Sequence, residues 1–214
     1  MVETDVHYPT DINLLFDAMR KTIKLTADYA ESNEIIGWRQ SQYNIRQVKQ
    51  AYRKAQLKKR STSQVEAKKA LRDEFIAQAH QELIDISQRF ITKSQATLAV
   101  TTQNPSMVDL VRVLQIEGFI KHAQRQIDQI NRRVLQEQKI PHEEKVFSLF
   151  QPHTEWISKG KAGVPVELGL KVCVLEDSQG YILHHRVMQH ETDNQIALNM
   201  IAEAKCKYPM LIAC

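Results

Sequence analysis

Val164-Pro-Val-Glu-Leu-Gly-Leu-Lys-Val-Cys-Val-Leu175, then Glu176-Asp-Ser-Gln-Gly180, then Tyr181-Ile-Leu-His-His-Arg-Val187, is the stretch on which the fold class turns. β-Branched and apolar residues crowd both flanks, and the middle segment supplies turn formers, so the reading is a β-hairpin. Asp177 reads as a turn residue. Thr192 or Asp193 then caps a helix carrying Ile196, Met200 and Ala204 to about Lys207. Tyr208-Pro-Met-Leu-Ile-Ala-Cys214 starts a further strand, and Val146-Phe-Ser-Leu-Phe150 upstream is also strand-like. A natural domain seldom finishes on a strand closing with Leu211 and Ile212, so the chain is expected to be truncated there, with an aggregation-prone edge.

Upstream of Pro141 the punctuation changes. From Trp38 to Asn104 there are 67 residues without Gly or Pro, rich in Gln, Ala, Lys, Arg and Glu, a composition that favours long helices. Thr10 or Asp11 caps an earlier helix in which Leu14, Leu15, Ala18, Met19, Ile23 and Ala27 form an apolar face to about Glu31. Gly37 breaks the chain and Trp38 opens a basic helix. Ser61-Thr-Ser63 with Glu66 fits a capping box, and Leu71, Phe75, Ala79, Leu83, Ile86 and Phe90 form the stripe of the next helix. After a turn at Asn104-Pro105, a last helix is expected to face Val108, Val111, Leu114, Ile127, Ile130 and Val134 inward. Short connections predict antiparallel packing, a helical bundle or paired arm over residues 12–138.

Composition excludes some classes. Apolar residues at 43% and charged residues at 25% describe a chain able to bury a core rather than a disordered one. No apolar run reaches the ~18 residues of a bilayer span, and the N-terminus has no basic-then-apolar leader, so the expected location is the cytoplasm with no membrane partner. Cys173, Cys206 and Cys214 are widely spaced and form no C-x-x-C pair, and the adjacent His184 and His185 would point to opposite faces of a strand. No disulfide framework and no metal site is predicted.

Charge is unevenly placed. Arg39 to Arg72 holds eleven Lys or Arg against one acid, Glu66, a balance of +10, while the rest of the chain carries −6. Arg46, Lys49, Arg53 and Lys54 recur at helical spacing, and Lys58, Lys59 and Arg60 extend the row. Such a face suits a polyanion held by its phosphates, without reading of bases; the plainer reading is a solvated helix face. Tyr43 and Tyr52 read as packing residues. No nucleophile–base pair stands out.

Four segments carry a family likeness: Val2-Glu-Thr-Asp-Val-His-Tyr-Pro-Thr-Asp11, Gly37-Trp-Arg-Gln-Ser41, His142-Glu-Glu-Lys-Val-Phe-Ser-Leu-Phe-Gln-Pro-His-Thr-Glu-Trp-Ile-Ser-Lys-Gly-Lys161 and Glu191-Thr-Asp193. Together they resemble bacterial insertion-sequence transposases of the DDE type. The resemblance implies a helix-rich α+β chain: a partial RNase H-like core (strand, hairpin, helix, start of strand) interrupted by a long helical insertion. Residues 1–11 would be the first-strand remnant, 12–140 the helical arm and 141–214 the continuation of the core. The family's activity is Mg²⁺-dependent cut-and-join DNA transposition, in which carboxylates hold two metal ions about an in-line phosphoryl displacement.

By the same resemblance, the first catalytic Asp is expected just upstream of Met1, the second shortly after Cys214 and the third farther on. Asp5 and Asp11 are the only acids near the first position, and Asp11 reads more simply as a helix cap. A lone carboxylate holds Mg²⁺ weakly, so no tightly bound Mg²⁺ is expected. Lys159 and Lys161 flank Gly160 and are candidate DNA contacts, or else a solvated loop. Trp156 reads as a core residue, with base stacking as its other use. Implied partners are DNA, at transposon ends or non-specifically, and a second copy or an intact transposase, in the bacterial cytoplasm beside the nucleoid. A rival reading is a non-catalytic helical DNA-binding or oligomerisation module that regulates transposition. An unrelated helical scaffold sits poorly with the β-rich block at 142–190.

Overall fold

In the computed structural model, which describes residues 9–57, 63–100, 106–158, 166–189 and 191–209, Thr10 begins the first helix. Its extended backbone and a hydroxyl that accepts from the Asn13 N–H at 3.3 Å satisfy one of the orphan donors of α1 (Asp11–Ser32). Three more long helices follow, α2 (Ser41–Leu57), α3 (Glu66–Leu98) and α4 (Met107–Ile130), the last running into a π turn at Asn131–Leu135. The described residues divide into two compact units, 9–149 and 150–209.

Cross-links give the directions in the helical unit. Arg133 at the end of α4 meets Asp11 at the start of α1, whereas Asn33 after α1 donates to Asp109 in the first turn of α4. Between α2 and α3, Arg89 donates to Gln47 and Lys54 to Glu82, so one helix descends as the other rises. Phe16 of α1 stacks on Tyr52 near the end of α2. The unit is an up-down-up-down four-helix bundle, antiparallel between neighbours as short connections require. Its core is drawn from all four helices, including Leu15, Met19, Ile23, Val48, Ala51, Leu83, Ile84, Ile116, Ala123 and Ile130.

Several local expectations are corrected by packing. The basic helix opens at Ser41; Trp38 lies before it, buried in the core. The capping box is not used: α3 begins at Glu66 after Val65, and Ser63 Oγ instead accepts from the Val65 N–H, while Ser61 and Thr62 lie outside the described residues. In α3 the stripe is buried or half-buried from Ala79 onward, but Leu71 and Phe75 are exposed. In α4 the register of the first half differs. Val108, Val111 and Leu114 face solvent, whereas Ile116, Ile120 and Ala123 point inward with Ile127 and Ile130. Both stripes are apolar, and contact with α1 selects one. Val146–Phe150 forms no strand; Val146 and Leu149 pack against the helical core instead.

In the second unit, β3 (Lys171–Glu176) and β4 (Ile182–Met188) form the expected antiparallel hairpin, with Val172 opposite Val187. Asp177 Oδ1 accepts from the N–H groups of Gln179 and Tyr181, both at 2.9 Å, which closes the turn. The run that reads as one strand from Val164 is divided. Gly169 adopts φ +154°, a conformation open to glycine, and β2 (Val166–Gly169) ends there. It pairs with β1 (Glu155–Ser158) in a separate antiparallel pair. Helix α5 (Asp193–Lys207) starts at a capping box made by Thr192 and Gln195. It seats Ile196 and Met200 on Met188, Cys173 and Leu175. The chain is thus α+β and helix-rich. The continuation of the last expected strand beyond Pro209 and the Asn104-Pro105 turn lie outside the described residues. No described helix is long and apolar enough to cross a membrane.

Two outcomes follow from the bundle. Ile116→Ala should cost about 2–5 kcal/mol in urea unfolding, whereas Leu114→Ala, 68% exposed, should stay within about 0.5 kcal/mol; the sequence stripe predicts the reverse. His80 is buried, its Nδ1–H donating to the Ile76 carbonyl at 2.8 Å, and burial holds its imidazole below the ordinary value of 6.5 despite that bond. The neutral ring is therefore the one the fold accommodates. The stability it contributes is complete above pH 6.5 and is lost as pH falls through the lowered folded value. Urea midpoints measured from about pH 7.5 down to about pH 5 should fall, and His80→Gln should flatten that decline.

Candidate nucleic-acid interface

Helix α2 contains four cations and no acid: Arg46, Lys49, Arg53 and Lys54. Its inward face is made of Val48, Ala51 and Ala55, small residues that let it lie close to α1 and α3. At about 100° per residue, burial of that face leaves Arg46, Lys49 and Arg53 on the opposite side, all exposed. The three make no ion pair with any described residue. They span about 10 Å of helix at a rise of about 1.5 Å per residue. Lys54 is turned aside: its Nζ lies 2.7 Å and 3.0 Å from the two carboxylate oxygens of Glu82 on α3. The structure thus brings together three of the four described cations of the expected row.

The rest of the surface comes from groups distant in sequence. Arg89 donates to Gln47 Oε1 at 2.8 Å, and Lys93 donates to the Gly37 carbonyl at 2.6 Å while lying 4.5 Å from the centre of the Trp38 ring. Sequence reasoning missed both, because their place beside α2 depends on the α2–α3 pairing. Trp38 fixes the entry to the basic helix. Its indole N–H donates to Thr97 Oγ1 at 2.8 Å, and that hydroxyl donates in turn to the Lys93 carbonyl. Arg39, exposed beside Trp38, was legible only as part of the basic run. Of the two tyrosines, Tyr52 packs as expected, whereas Tyr43 is 55% exposed.

Lys58, Lys59, Arg60, Lys159, Lys161 and Asp5 lie outside the described residues. Trp156 is half-buried on β1, opposite Leu168. Asp11, the other carboxylate near the position implied for the first catalytic acid, is the first residue of α1, and Arg133 Nε sits 2.9 Å from its Oδ2. That cation neutralises the charge a divalent ion would need. Among the described residues no three His, Cys, Asp or Glu side chains converge on one point. The described donors by themselves do not make up the carboxylate set that the Mg²⁺ pair implied by the resemblance would need. What the α2 surface can do is attract phosphates.

No protein-family model, curated protein or solved structure matches the chain.

The packing of Trp38, rather than the surface ion pair, should hold α2 in place. Trp38→Phe removes a buried hydrogen bond and should lower unfolding stability by about 1–2 kcal/mol. Glu82→Gln breaks an exposed pair and should cost no more than about 1 kcal/mol. Denaturant titration of the two variants ranks them directly.

Proposed function

We propose that the chain is a portion of a DDE-type transposase, with the hairpin and α5 belonging to an RNase H-like core and the helical unit serving as a DNA-binding arm. The observation that carries the DNA-binding reading is the outward strip Arg46, Lys49 and Arg53 on a helix without acids. A charged strip held on a packed helix meets phosphates with its backbone already ordered, and it gives affinity with little sequence preference. For the core, support comes from the order hairpin, then helix, and from apolar side chains on both faces of the hairpin. Cys173 and Leu175 meet α5, while Val172, Val174 and Val187 are exposed on the other side, the pattern of a hairpin within a layered core. The family's metal-dependent strand transfer is not assigned to the described residues, whose donors do not gather about a metal.

A non-catalytic module that pairs with another copy or an intact relative is the second reading. It is favoured by Met107, Val108, Leu110, Val111 and Leu114, an exposed apolar strip along the first half of α4. Co-purification with a full-length relative separates the two.

Binding of the full chain to duplex DNA at a series of salt concentrations tests the arm. If the strip and Lys58, Lys59 and Arg60, which follow it in sequence, together neutralise about six phosphates, log affinity should fall against log salt with a slope near −5. Replacing Arg46, Lys49 and Arg53 together with Ala should make the slope shallower by about three. Affinity that ignores salt would refute phosphate binding.

A further inference from the structure

We propose that Tyr43 is a stacking platform for an unpaired base, so that the α2 surface takes single-stranded DNA in preference to duplex. The inference rests on the phosphate-binding reading of Arg46, Lys49 and Arg53 and narrows its substrate.

The two tyrosines of α2 have opposite surroundings. Tyr52 lies with its ring 4.9 Å from that of Phe16, nearly parallel, and its hydroxyl donates to Asn13 Oδ1 at 2.9 Å. It is a packing residue, and burial raises its phenol above the ordinary value. Tyr43 is 55% exposed and has no ring contact or hydrogen bond with any described residue. Its position is one helical turn before Arg46 and Gln47, which puts the ring between the cation strip and the side where Gln47 receives Arg89. A bulky aromatic surface left in water among cations has nothing to gain from phosphates alone.

Duplex DNA offers it little, because its base faces are already stacked and only the ends are open. A single strand offers every base a free face together with the same phosphate charge. Cations on a rigid helix beside an accessible ring are the two components of sequence-tolerant single-strand binding. The side of α2 from which the ring projects is also fixed, since burial of Val48, Ala51 and Ala55 sets the rotation of the helix.

The test uses the full chain with two fluorescent probes, an oligo-dT of about 15 nucleotides and a mixed-sequence duplex of about the same length, read by anisotropy at one salt concentration. The wild-type chain should bind the oligo-dT more tightly than the duplex. Tyr43→Ala should weaken oligo-dT binding about tenfold and leave duplex binding within about twofold, and Tyr43→Phe should match wild type on both. Equal affinity of Tyr43→Ala and wild type for oligo-dT overturns the stacking role, as does a wild-type preference for duplex; in both cases the phosphate-binding strip stands. Absence of binding to both probes removes the strip itself, and the stacking proposal with it.

Discussion

Burial of α1 by the other three helices is the constraint on which the helical unit depends. Leu15, Ala18, Met19, Thr22 and Ile23 are inaccessible to solvent, and α2, α3 and α4 each pack on this helix. Thr22 and Thr26 add no unmet polar demand, because their hydroxyls donate to the Ala18 and Thr22 carbonyls of their own helix at 2.9 and 2.7 Å. A fully buried Leu, Ile or Met contributes about 1.5–3 kcal/mol, against about 0–1 kcal/mol for an exposed ion pair. Apolar contact therefore sets the rotation of α2. The basic strip is outward as a consequence, not because its charges hold it there.

Polar contacts at the helix ends refine this arrangement. Asp109 closes the first turn of α4, where the Ser106 hydroxyl donates to its carboxylate at 2.6 Å and Asn33 and Arg112 stand close. Those partners, the Ser106 bond foremost, hold its carboxyl below the ordinary range. Asp11 with Arg133 does comparable work at the opposite end. Asp11 and Asp109 are thus each engaged where the ends of α1 and α4 meet.

The second unit follows a different economy of contacts. Its hairpin is secured at the turn by Asp177 and at the open end by Arg186, which donates to both oxygens of Glu191 at 2.6 and 3.2 Å. His184 reaches Glu203 on α5 at 2.8 Å beside the small apolar cluster around Met188. One face of the hairpin is thus covered and the other is open.

Legibility in sequence divides by range. The Thr10 start of α1, the Asp177 turn, the Thr192 cap and the hairpin itself rest on bonds between residues two to four apart or on simple alternation, and each could be read before any fold was known. The cation row could be read as well, since spacing of three, four and seven is a property of any helix. Other features required the packed molecule. Helix α4 carries apolar residues on more than one face, so its period allowed two registers until α1 chose between them. Nothing near Lys54 in sequence announces Glu82, and nothing near Gly37 announces Lys93. The isolation of Tyr43, against the burial of Tyr52 on the same helix, likewise comes from which side of α2 meets α1. Local chemistry names the elements; contacts among residues tens of positions apart select the faces they show.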